Sequence, residues 1–263
     1  MPLFIKKITS VAVFTLVVLS VLPCVSGKEQ DFSPDEVMGF VKKTYGKVFS
    51  ARGVITRIIE YGGGETERSD GVFAASRPDR MLIEFKGDLH QFMGFDGDFF
   101  RIYFPGENRG FYTDAAELGI PERFVLGPGP FFGNILDIVD SSFKLEVADF
   151  YEGKIVLKAI PGNPAQFSSI LIGVAPETWT IRAVEHYDMQ NKLVSQTRYM
   201  AFKTVGDSLF FPTTVETSTL LKNGVMVETT YISEVMLNVL IDDEFFDIPG
   251  NDDTDWIAQP LKK

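Results

Sequence analysis

The stretch GVFAASRPDRMLIEF, residues 71–85, holds two strand-like runs separated by Arg77-Pro78. In the second run a period of two places Met81, Ile83 and Phe85 on one face, the pattern of a strand with one side turned to a core. Proline has no amide to give a ladder, so the Arg-Pro pair marks a break between strands. The flanking sequence decides what kind of sheet is broken.

Upstream, GVITRIIEY (53–61) runs into Gly62-Gly63-Gly64, a turn, and ETERSDGVFAAS (65–76) returns from it. Downstream, LHQFMGF (89–95) and DFFRIYF (98–104) flank Asp96-Gly97, a hairpin signal. One face of the latter carries Phe99, Arg101 and Tyr103, the other Phe100, Ile102 and Phe104. Aromatics on both faces are more than a sheet wet on one side requires. Past residue 142 the strand pattern resumes, from FKLEVADF (143–150) to VMVETTYISEVMLNVLI (225–241), with turns at Glu152-Gly153, Gln190-Asn191 and Asn223-Gly224. The series predicts about eleven to thirteen antiparallel strands in one strongly curved sheet. No low-complexity linker divides it.

Two segments depart from this period. Ser33, Pro34 and Glu36 form a Ser-x-x-Glu capping box, and Val37, Phe40, Val41, Thr44, Tyr45 and Val48 follow at helical spacing, with Gly53 read as the stop. Between the strand series, residues 114–142 hold prolines and glycines around two short helical pieces. In the second of these, Phe131, Phe132, Ile135, Leu136, Ile138 and Val139 cover most of the circumference, the mark of a cover that opens or of a helix packed permanently over one end of the sheet.

The chain has 263 residues, 24 of them phenylalanine, and a formal charge of −11, which argues against nucleic acid as a partner. Lys6 and Lys7 precede an apolar run of about 15 residues, short of the roughly 20 a membrane span needs. With the small residues at VSG it reads as an export signal, residues 1–27, cleaved after Gly27. That cleavage removes Cys24, the one cysteine; the competing reading makes Cys24 a lipidated N-terminus. The acidic tail DDEFFDIPGNDDTDW (242–256) lacks the spacing of a calcium loop and reads as a solvated charge run.

Catalytic patterns are missing. There is no Gly-x-Ser-x-Gly, no phosphate loop and no His-Glu-x-x-His; the prolines of GPGPFFG remove amides a phosphate loop would use. His90 and His186 both fall in strand patterns, and His186, near Glu185 and Asp188, reads as a strand histidine on a polar face. No enzyme, cofactor or metal is expected.

The order of these features, an exported chain, a capped helix, a meander with SRP closing its second strand, GFDGDFFRIYFP, a Pro-Phe-Phe helix and a second meander with AVEHYDMQNKL, resembles the LolA family of periplasmic lipoprotein carriers over essentially the whole mature chain. The resemblance implies a mainly β fold: one unclosed antiparallel β-barrel over residues 28–263, with an N-terminal helix and a helical lid over its mouth. It implies an apolar cavity for lipoprotein acyl chains, an inner-membrane release complex as donor, an outer-membrane receptor as acceptor, a monomeric carrier and no covalent chemistry. It matches the family's lid-controlling Arg-Pro motif to Arg77 and Pro78. Phe131, Phe132, Ile135 and Leu136 then form the lid's apolar face, and Met81, Ile83, Phe85, Phe100, Ile102 and Phe104 are cavity-lining candidates. Pro78 would end its strand at a barrel edge and aim Arg77 at carbonyls ending the lid helix. The chain is longer than the compact carriers, which leaves room for another lipidated ligand, or for a relative that senses lipoproteins or a protein partner and regulates envelope stress without transport.

Overall fold

Ser33 opens the first helix as the sequence requires. Its hydroxyl accepts from the Glu36 amide at 3.3 Å, while the Glu36 carboxylate accepts from the Ser33 amide at 2.9 Å. Helix α1 (Pro34–Tyr45) ends at Gly46, whose amide reaches the Lys42 carbonyl, so the helix stops well before Gly53. Gly53 instead lies inside the first strand, and Val48, which continues the helical spacing, belongs to the connection. The structure is a computed structural model describing residues 32–87, 90–115, 139, 142–151, 153–162, 167–206, 209–250 and 253–258. The expectations about residues 1–27, Cys24 and the lid residues Phe131, Phe132, Ile135 and Leu136 lie outside these.

Among the described residues fourteen strands form one sheet. Six make the first meander: β1 (Ser50–Glu60), β2 (Thr66–Ser76), β3 (Arg80–Lys86), β4 (Gln91–Phe95), β5 (Phe99–Phe104) and β6 (Arg109–Asp114). The second comprises β7 (Phe143–Tyr151), β8 (Lys154–Pro161), β9 (Ser169–Ala175), β10 (Thr180–Tyr187), β11 (Leu193–Val205), β12 (Leu209–Leu221) and β13 (Gly224–Leu237). The last strand is β14 (Asp255–Ala258), and the order across the sheet is β14-β6-β5-β4-β3-β2-β1-β13-β12-β11-β10-β9-β8-β7. The two meanders join where β1 pairs with β13. β7 and β14 do not pair with each other, so the barrel is unclosed.

Helix α1 packs its apolar stripe, Val37, Met38, Val41 and Tyr45, into the core beside β7 and β10. The Tyr45 hydroxyl accepts from the Ile181 amide at 3.1 Å. Phe40 stacks on Trp179 with ring centres 4.3 Å apart, and Phe32 meets Trp179 edge-on at 5.2 Å. The core beneath is aliphatic, with Ile155, Leu157, Ile170, Ile172, Ile181 and Val184 fully buried on one face of β8–β10.

The tail's described acidic residues are exposed, as its composition suggests, but the segment is also docked on the sheet. A 3-10 turn (Asp243–Phe246) brings Asp243 within 2.6 Å of Arg80, and β14 then pairs in parallel with β6. Two glycines admit it: a Cβ at Gly94 would stand 2.7 Å from Ile248 Cδ1, and a Cβ at Gly110 would collide with the Trp256 indole. Acidic residues pointing outward hide the two apolar anchors that dock the segment.

Candidate functional site

Cross-strand partners in an antiparallel ladder share a face, so the register shows which side chains line the inner surface. Ala75, Met81, Phe95 and Phe100 form one row across β2–β5, and Phe73, Ile83, Met93 and Ile102 form the next. Phe85 and Phe104 follow two residues beyond Ile83 and Ile102 on the same face. Met81, Phe85 and Phe100 are buried, whereas Ile83, Ile102 and Phe104 remain half-buried, as do Met93 and Phe111. The half-buried set forms a continuous apolar surface, because Phe111 pairs with Ile102 and its ring meets Phe104 at 6.1 Å.

A half-buried cation, Arg57, interrupts this surface; Arg109, opposite Phe104 at its far side, is exposed and paired with Glu107 and Asp255. Ile55, Arg57 and Ile59 share the core-facing side of β1, and both isoleucines are buried. The Arg57 guanidinium carbon lies 3.9 Å from the centre of the Phe85 ring, and Nη1 lies 3.8 Å from the Met93 sulfur. Its buried Nε has no hydrogen-bond partner among the described residues. Glu228, opposite Ile59, continues the polar strip through Thr217 to Thr197, whose hydroxyl lies 3.1 Å from that of Thr217. Burial raises the Glu228 carboxyl above its ordinary pKa and lowers that of Arg57, each opposed by the other's charge.

His186 sits deeper on the same inner face, 1% exposed, in a row with Ile170 and Ser195. Alternation in β10 turns Glu185 away from it, so the histidine faces the core and not the polar side. Burial pushes its pKa down to about 4, which holds the imidazole neutral near neutral pH.

Arg77 and Pro78 lie in the tight turn joining β2 to β3, in the interior of the strand order rather than at a sheet edge. A turn makes no ladder demand on Pro78, and the Arg77-Pro78 peptide is cis. Arg77 Nε donates to the Val48 carbonyl at 2.9 Å, and its amide donates to Phe49 at 2.8 Å, so these bonds run to the link between α1 and β1. The carbonyls of the expected lid helix lie outside the described residues.

Sequence reading passed over Arg57, although the phase of Ile55-x-Arg57-x-Ile59 places a cation among core-facing positions. It also passed over Ile248 and Trp256 as anchors. Between the tail and the sheet lies a cavity of about 560 Å³ whose arginines are already engaged, Arg80 by Asp243 and Arg101 by Asp96.

No family model matches the chain, and no curated protein matches it by sequence. Solved structures do. A LolA superfamily protein from Nitrosomonas europaea superposes with a TM-score of 0.58 at 12% identity, covering 83% of this chain and 99% of its own. A domain named for outer-membrane lipoprotein sorting, from Vibrio parahaemolyticus, gives 0.60 at 10% identity, covering 82% and 97%. A DUF1329 family protein from Desulfovibrio piger gives 0.61 at 13% identity, covering 82% and 98%. At such identities the likeness is one of fold: the chain has a LolA-like fold.

Proposed function

We propose that this protein is a non-enzymatic periplasmic carrier that holds the acyl chains of lipoproteins, or of a related lipidated ligand, against its inner face and delivers them to the outer membrane. The observation that carries this reading is the half-buried apolar surface of Ile83, Met93, Ile102, Phe104 and Phe111 inside an unclosed LolA-like sheet. Moving an acyl chain from water onto such a surface gains about 0.8 kcal/mol per CH₂. The export signal, the inner-membrane donor and the outer-membrane receptor belong to the same proposal. So does a lid formed by Phe131, Phe132, Ile135 and Leu136, which would bury itself in place of the cargo and so favour release.

Mass spectrometry of solvent extracts from protein purified out of its native envelope tests the proposal. Acyl species in stoichiometric amount are expected, and their absence from freshly isolated protein would overturn it.

One observation favours a second reading, a regulator that senses lipoproteins or binds a protein partner. At the β12–β13 hairpin tip Leu220, Leu221 and Val225 are exposed, and the neighbouring β10–β11 turn adds Met189 and Leu193. An apolar cluster of this kind commonly marks an interaction surface. A regulator of the second kind would retain a partner protein through this tip and yield no acyl species, whereas one that senses lipoproteins would hold acyl species without delivering them to the outer membrane.

A further inference from the structure

The inner face is not uniformly apolar: Arg109 at its rim is engaged by Glu107 and Asp255, whereas Arg57, further in, has a donor to spare. Arg57 is half-buried, so it is reachable, yet its Nε is hidden from water and bonded to nothing among the described residues. Its neighbours on the ladder and ring side are Phe85, Met93, Thr230 and Ser69, none of them anionic. Glu228 and Glu67, both opposite Ile59, and Tyr61 act on it through space without bonding its Nε, and burial raises the Glu228 carboxyl above its ordinary pKa. A guanidinium stacked on an aromatic ring keeps its planar fork oriented, which suits an oxyanion more than a neutral carbonyl. From Arg57 the half-buried row Met93, Ile83, Ile102 and Phe104 leads across β3–β5, offering an alkyl chain a path that begins at the cation.

The geometry points to an anionic-amphiphile site: an alkyl chain lies on the apolar row while its oxyanion head, a carboxylate or a phosphate, accepts hydrogen bonds from Arg57. This rests on the reading of the inner face as an acyl site and narrows it, because an acyl chain held through a neutral ester would leave the guanidinium unused.

Calorimetry on the full mature chain, with ligands below their micellar concentrations, tests the assignment using dodecanoate, dodecyl phosphate and uncharged 1-dodecanol. Wild type is expected to bind at least one anion about 10- to 100-fold more tightly than the alcohol, the range of a charged hydrogen bond. Arg57→Met should lose the preference of the anions over dodecanol; Arg57→Lys should keep part of it. The ranking of carboxylate against phosphate names the head, and either order sustains the site. Equal binding of all three by wild type overturns the site while leaving the acyl reading intact, whereas binding of none overturns the acyl reading itself. An NMR measurement on wild type makes the result independent of any variant's folding. The Arg57 Nε–H resonance should shift with the preferred anion and not with dodecanol, and an unmoved resonance overturns the assignment.

Discussion

Arg77 is tied to Val48: its Nε donates to the Val48 carbonyl at 2.9 Å while the adjoining Phe49 carbonyl takes the Arg77 amide at 2.8 Å. A hairpin turn thereby holds the segment that leaves α1, and the helix, the turn and the start of β1 form one unit. The arginine serves as a clasp on the N-terminal helix whatever else it binds.

Arg77→Leu keeps an apolar stem and deletes the donors. It should lower the unfolding free energy by about 1–2 kcal/mol, the scale of a partly exposed charged hydrogen bond, with Lys restoring a fraction. Urea denaturation measures this, and a midpoint equal to wild type would show the bond to be idle.

Tyr45→Phe removes the acceptor of the Ile181 amide and leaves that donor buried. A loss of about 1–3 kcal/mol is expected. Burial raises the Tyr45 pKa to about 12, so the phenol is neutral through the ordinary range and the loss should be the same at pH 6 and pH 9. A loss that varies between these pH values would contradict the assignment.

Acid should weaken the fold through His186. Its folded pKa, about 4, lies below the ordinary value of 6.5, so the unfolded chain binds the extra proton and stability falls as pH drops through that window. The full contribution is about 3 kcal/mol. His186→Leu should flatten the profile between pH 6.5 and 4 in unfolding titrations, while carboxylates stabilised as anions, such as Asp96, affect both proteins alike. Parallel profiles would refute this.

Gly110→Ala should unseat Trp256, since the added methyl would occupy space the indole fills. In a Trp179→Phe background the emission of Trp256 should shift to the red. The stability lost, about 1–2 kcal/mol, should vanish when Trp256 is already alanine, the mark of a coupled pair. Unshifted emission would mean that the tail docks by other contacts.

The helix start and the hairpins were legible because local chemistry specifies them: Ser33 and Glu36 satisfy each other's neighbours, and Gly97 and Gly224 adopt positive φ values where the turns need them. The helix end was not, because Val48 continues the apolar spacing while Gly46, in ordinary helical conformation, gives no left-handed signal. The pairing of β1 with β13 and the docking of the tail depend on partners remote in sequence, which alternation cannot name. Within the inner face, alternation grouped Met81, Ile83 and Phe85 on one side; Arg57 escaped because a lone charge in a strand ordinarily reads as surface.

The joint between the meanders also dictates an order of events. Every other antiparallel pair in the sheet joins strands that follow one another in the chain, but Ala51 must wait for Leu237. Loop closure over so long a separation makes this rung a late and slow one. Throughout synthesis β1, eleven residues long, therefore holds out an unpaired edge to any passing strand. The exposed Arg52 and the irregular register between Arg52 and Val54 make that edge a poor template for foreign pairing. A chain cut short before β13 would keep this edge open for good and should be lost to aggregation rather than accumulate as a half-built sheet.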